Sequence, residues 1–214
     1  MALAMKACFL LRDVSVGVRL VSGENASLAQ TLLQKALSIN ESSDFLHFIR
    51  AQYCYGVELD RDAANRAVER SFEVNPEYVL AKLAKAVVLA MDGRATEALA
   101  LAEPVAPEFS KNAGYFRFLG VQALSHFVIG DHQKAVNSAK DALDRWPDYP
   151  LGLVVLASSA AHIGDTAMAQ KTMSALLSID PTLTIKLLRP LQFHQDATQE
   201  KLCEGLISAG MPIE

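Results

Sequence analysis

The sequence predicts an all-α protein, an α-solenoid of about five helix–turn–helix units closed by a C-terminal capping helix. Three observations predict it. Ile129, Gly130 and Asp131 return as Ile163, Gly164 and Asp165, 34 residues on, and the alanine five places after each glycine returns too, Ala135 and then Ala169. The same marker alanine steps through positions 29, 64, 98, 135 and 169, at gaps of 35, 34, 37 and 34 residues. Between the markers the apolar residues keep helical spacing, as in the stripe of Leu151, Val154, Val155 and Ser158, and no segment alternates strictly over a useful length.

The units follow in chain order. The first, about 10–43, is the weakest and supplies Ala29, Leu33 and Ala36 within "ASLAQTLLQKALSINES". The second, 45–76, supplies Ala64, Val68, Ser71 and Pro76. The third, 79–112, has Gly93, Ala98 and Ala102, but Pro104 and Pro107 stand where its second helix should continue. A shortened second helix and a longer connection are expected there, since proline inside a helix removes a hydrogen bond and clashes with the preceding turn. The fourth, 116–147, and the fifth, 150–181, align throughout: Ala123 with Ala157, Gly130 with Gly164, Ala142 with Leu176, Pro147 with Pro181.

Each marker has a physical reason. Small residues such as Ala123 and Ala135 let two helix backbones approach, and a larger side chain there overpacks the joint at roughly 1–3 kcal/mol. Gly93, Gly130 and Gly164 suit a helix end that turns through φ > 0, where a β-carbon costs about 1–2 kcal/mol. Asp131 and Asp165 are then natural N-caps, and Pro76, Pro147 and Pro181 stop each second helix. In the tail, 182–214, Asp196 and Gln199 have capping-box spacing. Leu202, Cys203, Leu206 and Ile207 give an apolar face, and Gly210 with Pro212 ends the helix. The whole chain, 1–214, reads as one superhelical domain whose last helix covers an otherwise exposed apolar face.

This order of Ala, Gly, Ala, Ala and Pro in a 34-residue helical hairpin resembles the tetratricopeptide repeat. The resemblance runs from about residue 10 to 181; Tyr55 occupies a usual aromatic position, while His126 and Ala160 stand where tyrosine is common. The tail, "DP", "LLRP" and "EGLISAGMPIE", resembles the end of such arrays behind nucleotide cyclase or winged-helix domains in bacterial regulators. The resemblance implies a scaffold that holds a protein or peptide segment against its first helices, as the regulatory module of a bacterial signalling or transcription regulator. Alternatives are a peptide or small-ligand receptor, and the repeat portion of a cyclase-like enzyme.

Composition narrows the field. A net charge of −4 gives no basic footprint for nucleic acid, and 51% apolar residues argue against disorder. The lysine in "MALAMKACFLLRD" breaks what would otherwise read as a signal peptide, and "LGLVVLASSAAHIG" is too short to span a bilayer. Cys8, Cys54 and Cys203 fit no ligand spacing, so a reducing cytoplasm is expected. No phosphate loop, nucleophile elbow or zinc motif is present, and no cofactor, metal or catalytic residue is expected. Of the five histidines, His126 and His162 are expected to approach one another from adjacent first helices, as packing rather than ligand residues.

By position in the repeat, the partner-facing groove is expected to carry Tyr53, Leu83, Val87, Arg117, Leu124, Phe127, Ser158 and His162. The lysine, arginine and asparagine set with which some members clamp a peptide carboxylate is missing apart from Arg117. An amphipathic helix or a neighbouring domain suits an apolar groove better. Exposed apolar surface also leaves room for a homodimer.

Overall fold

The computed structural model of the protein describes residues 2–11, 23–58, 60–188 and 196–214. Among these residues the chain is helical throughout, with no strand. It divides into two units, Met1–Lys85 and Ala86–Glu214, with the boundary inside one helix.

The first unit holds α1 (Ala2–Leu10), α2 (Gly23–Ile39), α3 (Asp44–Tyr53), α4 (Arg61–Val74) and the start of α5 (Val79–Met91). α1 lies ahead of residue 10, where the sequence places the first repeat. Ala4 and Ala7 are small enough to lay it closely against α2, which contributes Ala29, Leu33 and Ala36 to the same core. A π-helical turn, Cys54–Glu58, carries α3 toward α4, and Asp60 caps α4 by accepting from the Ala63 N–H at 2.8 Å. The start of α3 is tied to the end of α4: Ser71 Oγ donates to the Asp44 carbonyl at 2.7 Å, and the Asn75 amide donates to the Asp44 carboxylate at 2.8 Å. Fully buried Ser71 thus has a partner for its hydroxyl, as burial of a polar group requires.

The second unit begins with the remainder of α5 and α6 (Ala95–Ala102). α6 has only 8 residues, against 14 in each later second helix. Pro104 and Pro107 divert the chain into 3₁₀ turns at Glu103–Val105 and Ala113–Tyr115 around the short α7 (Ala106–Phe109). Then come α8 (Phe116–Ile129), α9 (His132–Arg145), α10 (Pro150–His162), α11 (Thr166–Ile179), α12 (Ile185–Leu188) and α13 (Asp196–Ser208). α8 packs on α9, α9 on α10, α10 on α11, and α13 on α10.

The joints are built as the sequence leads one to expect. Gly130 and Gly164 have φ of 91° and 80°, the left-handed region where a β-carbon is penalised. The following N–H reaches back over the helix end, Asp131 to the His126 carbonyl and Asp165 to the Ala160 carbonyl, each at 2.9 Å. Asp131 and Asp165 then cap α9 and α11, accepting from the Lys134 and Met168 N–H groups. At the other end, Asn75, Trp146 and Asp180 are extended, with ψ of 93°, 96° and 94°. A following proline excludes the helical region for the residue before it, so Pro76, Pro147 and Pro181 terminate α4, α9 and α11 through their neighbours. The marker alanines Ala64, Ala98, Ala123, Ala135, Ala157 and Ala169 have no exposed surface.

The C-terminal helix is held by more than its leucines. Leu202, Cys203, Leu206 and Ala209 are buried, whereas Ile207, expected on the same face, points to solvent. At the crossing, a β-carbon on Gly205 would lie 2.7 Å from the Ser158 carbonyl oxygen and 2.9 Å from its Cα, so α13 meets α10 backbone to backbone. The Ile185 and Lys186 N–H groups donate to the Pro212 and Ile213 carbonyls, fastening the chain end to α12. The Asp196 side chain of the expected capping box lies outside the described residues, as do Arg189 and Pro190 of "LLRP"; the Gln199 amide donates to Cys203 Sγ one turn on.

Candidate interaction surface

Of the eight residues expected to line a groove, six are buried. Tyr53 and Leu83 lie in the core of the first unit; Val87, Leu124, Phe127 and Ser158 lie in that of the second. Their helix faces pack on neighbouring helices, as α8 does on α10, and so are consumed by the array itself. Only Arg117 and His162 are half-buried. Ser158 and His162 are already engaged by the chain's own α13: Ser158 Oγ donates to the Leu202 carbonyl at 3.2 Å, and His162 Nε2 lies 2.8 Å from the Lys201 carbonyl oxygen. Phe127 and His162 come together at 6.2 Å between ring centroids.

The partner of His162 is not His126. His132, at the start of α9, stacks on it with centroids 4.5 Å apart and planes at 19°. Phe127 presents its ring to His132 at 5.3 Å. A histidine in the first turn of a second helix sits at the joint, level with the end of the next first helix, whereas His126 lies a turn further down. Burial pushes both His126 and His132 below the ordinary imidazole range. Among the described residues, no group of three His, Cys, Asp or Glu side chains could hold a metal ion. Cys54, wholly buried, has its thiol pushed up to about 12 by desolvation, with a hydrogen bond to Glu58 adding to the effect. A thiol in that state is not a nucleophile.

A surface that sequence reasoning missed surrounds Arg117. Phe116 meets Trp146 and Tyr149 edge-on, both at 4.8 Å, and Trp146 stacks on Tyr149 at 5.5 Å. The Arg117 guanidinium lies 5.0 Å over Phe116, and that of Arg145 lies 4.6 Å over Tyr115. Arg145 also donates to the Ser110 carbonyl at 3.3 Å. Neither arginine is paired with a described carboxylate, unlike Arg70 with Glu73 or Arg94 with Glu97. Tyr149 can lie flat here because residue 120 is glycine: a β-carbon on Gly120 would stand 2.6 Å from the Tyr149 hydroxyl oxygen. Tyr115, Phe116, Arg117 and Trp146 keep part of their surface in water, and Arg145 is exposed. Half-exposed tyrosine, tryptophan and arginine are the residues on which interfaces concentrate their binding energy. An arginine stacked by its face keeps its N–H edge for an acceptor. The signal was present in the sequence as Tyr115, Phe116 and Arg117 at the start of a first helix and Arg145 and Trp146 at the end of the second. A helical hairpin puts those two ends side by side.

Hairpins of 34 residues, left-handed glycine joints and proline-terminated second helices define a repeat scaffold. The tetratricopeptide repeat model matches residues 59–113 and 121–183, more than half of the chain, and the protein belongs to that family. Tetratricopeptide repeats are protein-interaction modules. No curated protein sequence matches the chain. Among solved structures it is similar to PilW, a widely conserved type IV pilus biogenesis factor, with a TM-score of 0.60 and 13% identity over 98% of this chain and 90% of that one. PilF of Pseudomonas aeruginosa gives 0.55 and 14% over 98% and 91%. A thermophilic tetratricopeptide protein of Thermus thermophilus gives 0.59 and 19% over 94% and 99%. These likenesses are of fold. Among the described residues no helix is long and apolar enough to cross a membrane.

Proposed function

We propose that this protein is a non-catalytic interaction scaffold that takes up a protein segment on the face formed by Phe116, Arg117, Arg145 and Trp146. The observation that carries this reading is the pair of aromatic-backed arginines with no carboxylate partner among the described residues, beside the half-exposed Trp146. The expected segment supplies a carboxylate for Arg117 or Arg145 and an apolar side chain for the Phe116–Trp146 edge. Arg117 was expected at the partner surface from the repeat frame. The buried members of that set, Tyr53, Leu83, Val87, Leu124, Phe127 and Ser158, act by shaping the array. In this reading the scaffold is the regulatory module of a bacterial signalling or transcription regulator, supported by the tail resemblance. The thiols of Cys8, Cys54 and Cys203 support a reducing cytoplasm. A scaffold for an envelope assembly is the second reading, favoured by the type IV pilus biogenesis factor PilW, whose fold matches 98% of the chain.

The expected consequence is measurable once a partner has been isolated. Arg117→Ala with Arg145→Ala should weaken its binding at least tenfold in calorimetry while leaving the helical circular dichroism spectrum unchanged. Affinity within twofold of the parent would overturn the assignment.

A further inference from the structure

We propose that the stacked His132–His162 pair is an acid-sensitive latch that holds α13 on the last repeat near neutral pH and lets it loosen below about pH 6.5, the ordinary imidazole value. The proposal rests on the geometry around α10 and is independent of where a partner binds.

Three contacts hang α13 on α10. Leu202 and Leu206 are buried there, Ser158 Oγ donates to the Leu202 carbonyl, and His162 Nε2 faces the Lys201 carbonyl at 2.8 Å. A carbonyl oxygen only accepts, so the Nε2 of His162 carries the proton in this arrangement. The ring that fixes His162 in that orientation is His132, 4.5 Å away and nearly parallel. The Nδ1 of His132 is buried, with no hydrogen-bond partner among the described residues. Neutral His132 tolerates this by leaving Nδ1 unprotonated; an imidazolium carries a proton on both nitrogens and would have a buried donor with no acceptor.

The surrounding charges do not rescue the cation. Burial is the largest influence holding His132 below its usual range; His162 from α10 and the Lys201 ammonium from α13 act in the same direction. Among the described residues Asp131, at the joint before α9, is the only opposing charge acting on His132, and it is engaged by the Lys134 ammonium at 2.9 Å. His126 on α8 also draws on Asp131 and faces the same Lys134. α11 adds no charge acting on His132. The sign follows from linkage. The folded state disfavours protonated His132, so nothing is lost above the unfolded imidazole value. Stability then falls as pH drops through that value toward the depressed folded one. The strain is relieved by separating the rings, and His162 is the ring bonded to α13.

The test is hydrogen exchange read by mass spectrometry on the full chain at pH 7.5 and 5.0, with each amide corrected for its intrinsic rate. Protection of residues 202–209 should fall at least tenfold at the lower pH while α9 and α11 change less than threefold. His132→Phe keeps a flat ring that cannot titrate, and His132→Asn removes the ring; either variant that folds should reduce the acid effect to less than twofold. Equal protection of 202–209 at both pH values, an acid effect that persists in the folded variants, or a uniform loss across α8–α13 would each overturn the latch.

Discussion

Gly205→Ala should detach the C-terminal helix from the last repeat, with a loss of about 2–4 kcal/mol in the stability of the second unit. The new methyl would collide with Ser158 Oγ, which can rotate away, but would also stand 2.7 Å from the Ser158 carbonyl oxygen and 2.9 Å from Cα, which cannot. Relief requires α13 to move outward. Leu202 and Leu206 then lose burial that contributes about 1.5–3 kcal/mol for each side chain, only part of which is forfeited in a small displacement. Alanine gains about 1 kcal/mol over glycine in an exposed helix, which does not offset the loss. Urea denaturation followed by circular dichroism would show a midpoint shift, and hydrogen exchange would show faster exchange confined to α13. A stability equal to that of the parent would mean that the two backbones do not cross as closely as described.

Phe127→Ala should cost about 3–5 kcal/mol, the usual range for removing a fully buried phenylalanine. Phe127 packs beside His132 and His162, so its loss leaves a cavity under the α8–α9 joint and frees both imidazoles to rotate. The repeat frame alone marks Phe127 as a partner-facing residue, and the two roles separate cleanly in a denaturation experiment. A core role gives a large drop in the urea midpoint. A purely partner-facing role would leave stability within about 0.5 kcal/mol of the parent, as for surface positions, and would contradict the packing described here.

The architecture was legible because its joints depend on single-residue backbone demands. Gly130 and Gly164 must turn through positive φ, Asp131 and Asp165 must accept from the next turn, and Pro147 and Pro181 must force the preceding residue out of the helix. None of these depends on what packs nearby. The candidate surface was much less legible, because accessibility is decided by neighbours. Ser158 and His162 would face a groove were α13 elsewhere; with α13 crossing at Gly205, they become its attachment points. Leu83, Val87 and Leu124 have the spacing of a binding stripe, but that spacing also serves helix-on-helix core. Arg117 was found because it was the one charged residue in the stripe. Phe116, Arg145 and Trp146 were missed because they come from opposite ends of one unit and meet only when the hairpin closes.

Whether the protein works by capturing a segment on this face is decided most directly by photo-crosslinking in its native cells. A photoreactive phenylalanine analogue placed at Arg117 or Trp146 should yield the same discrete adduct, identifiable by mass spectrometry. The analogue at Lys140 or Asp141, on the exposed face of α9, should not yield it. An adduct formed equally from both faces, or from α9 alone, would contradict the assignment of the Arg117–Trp146 face as the working surface.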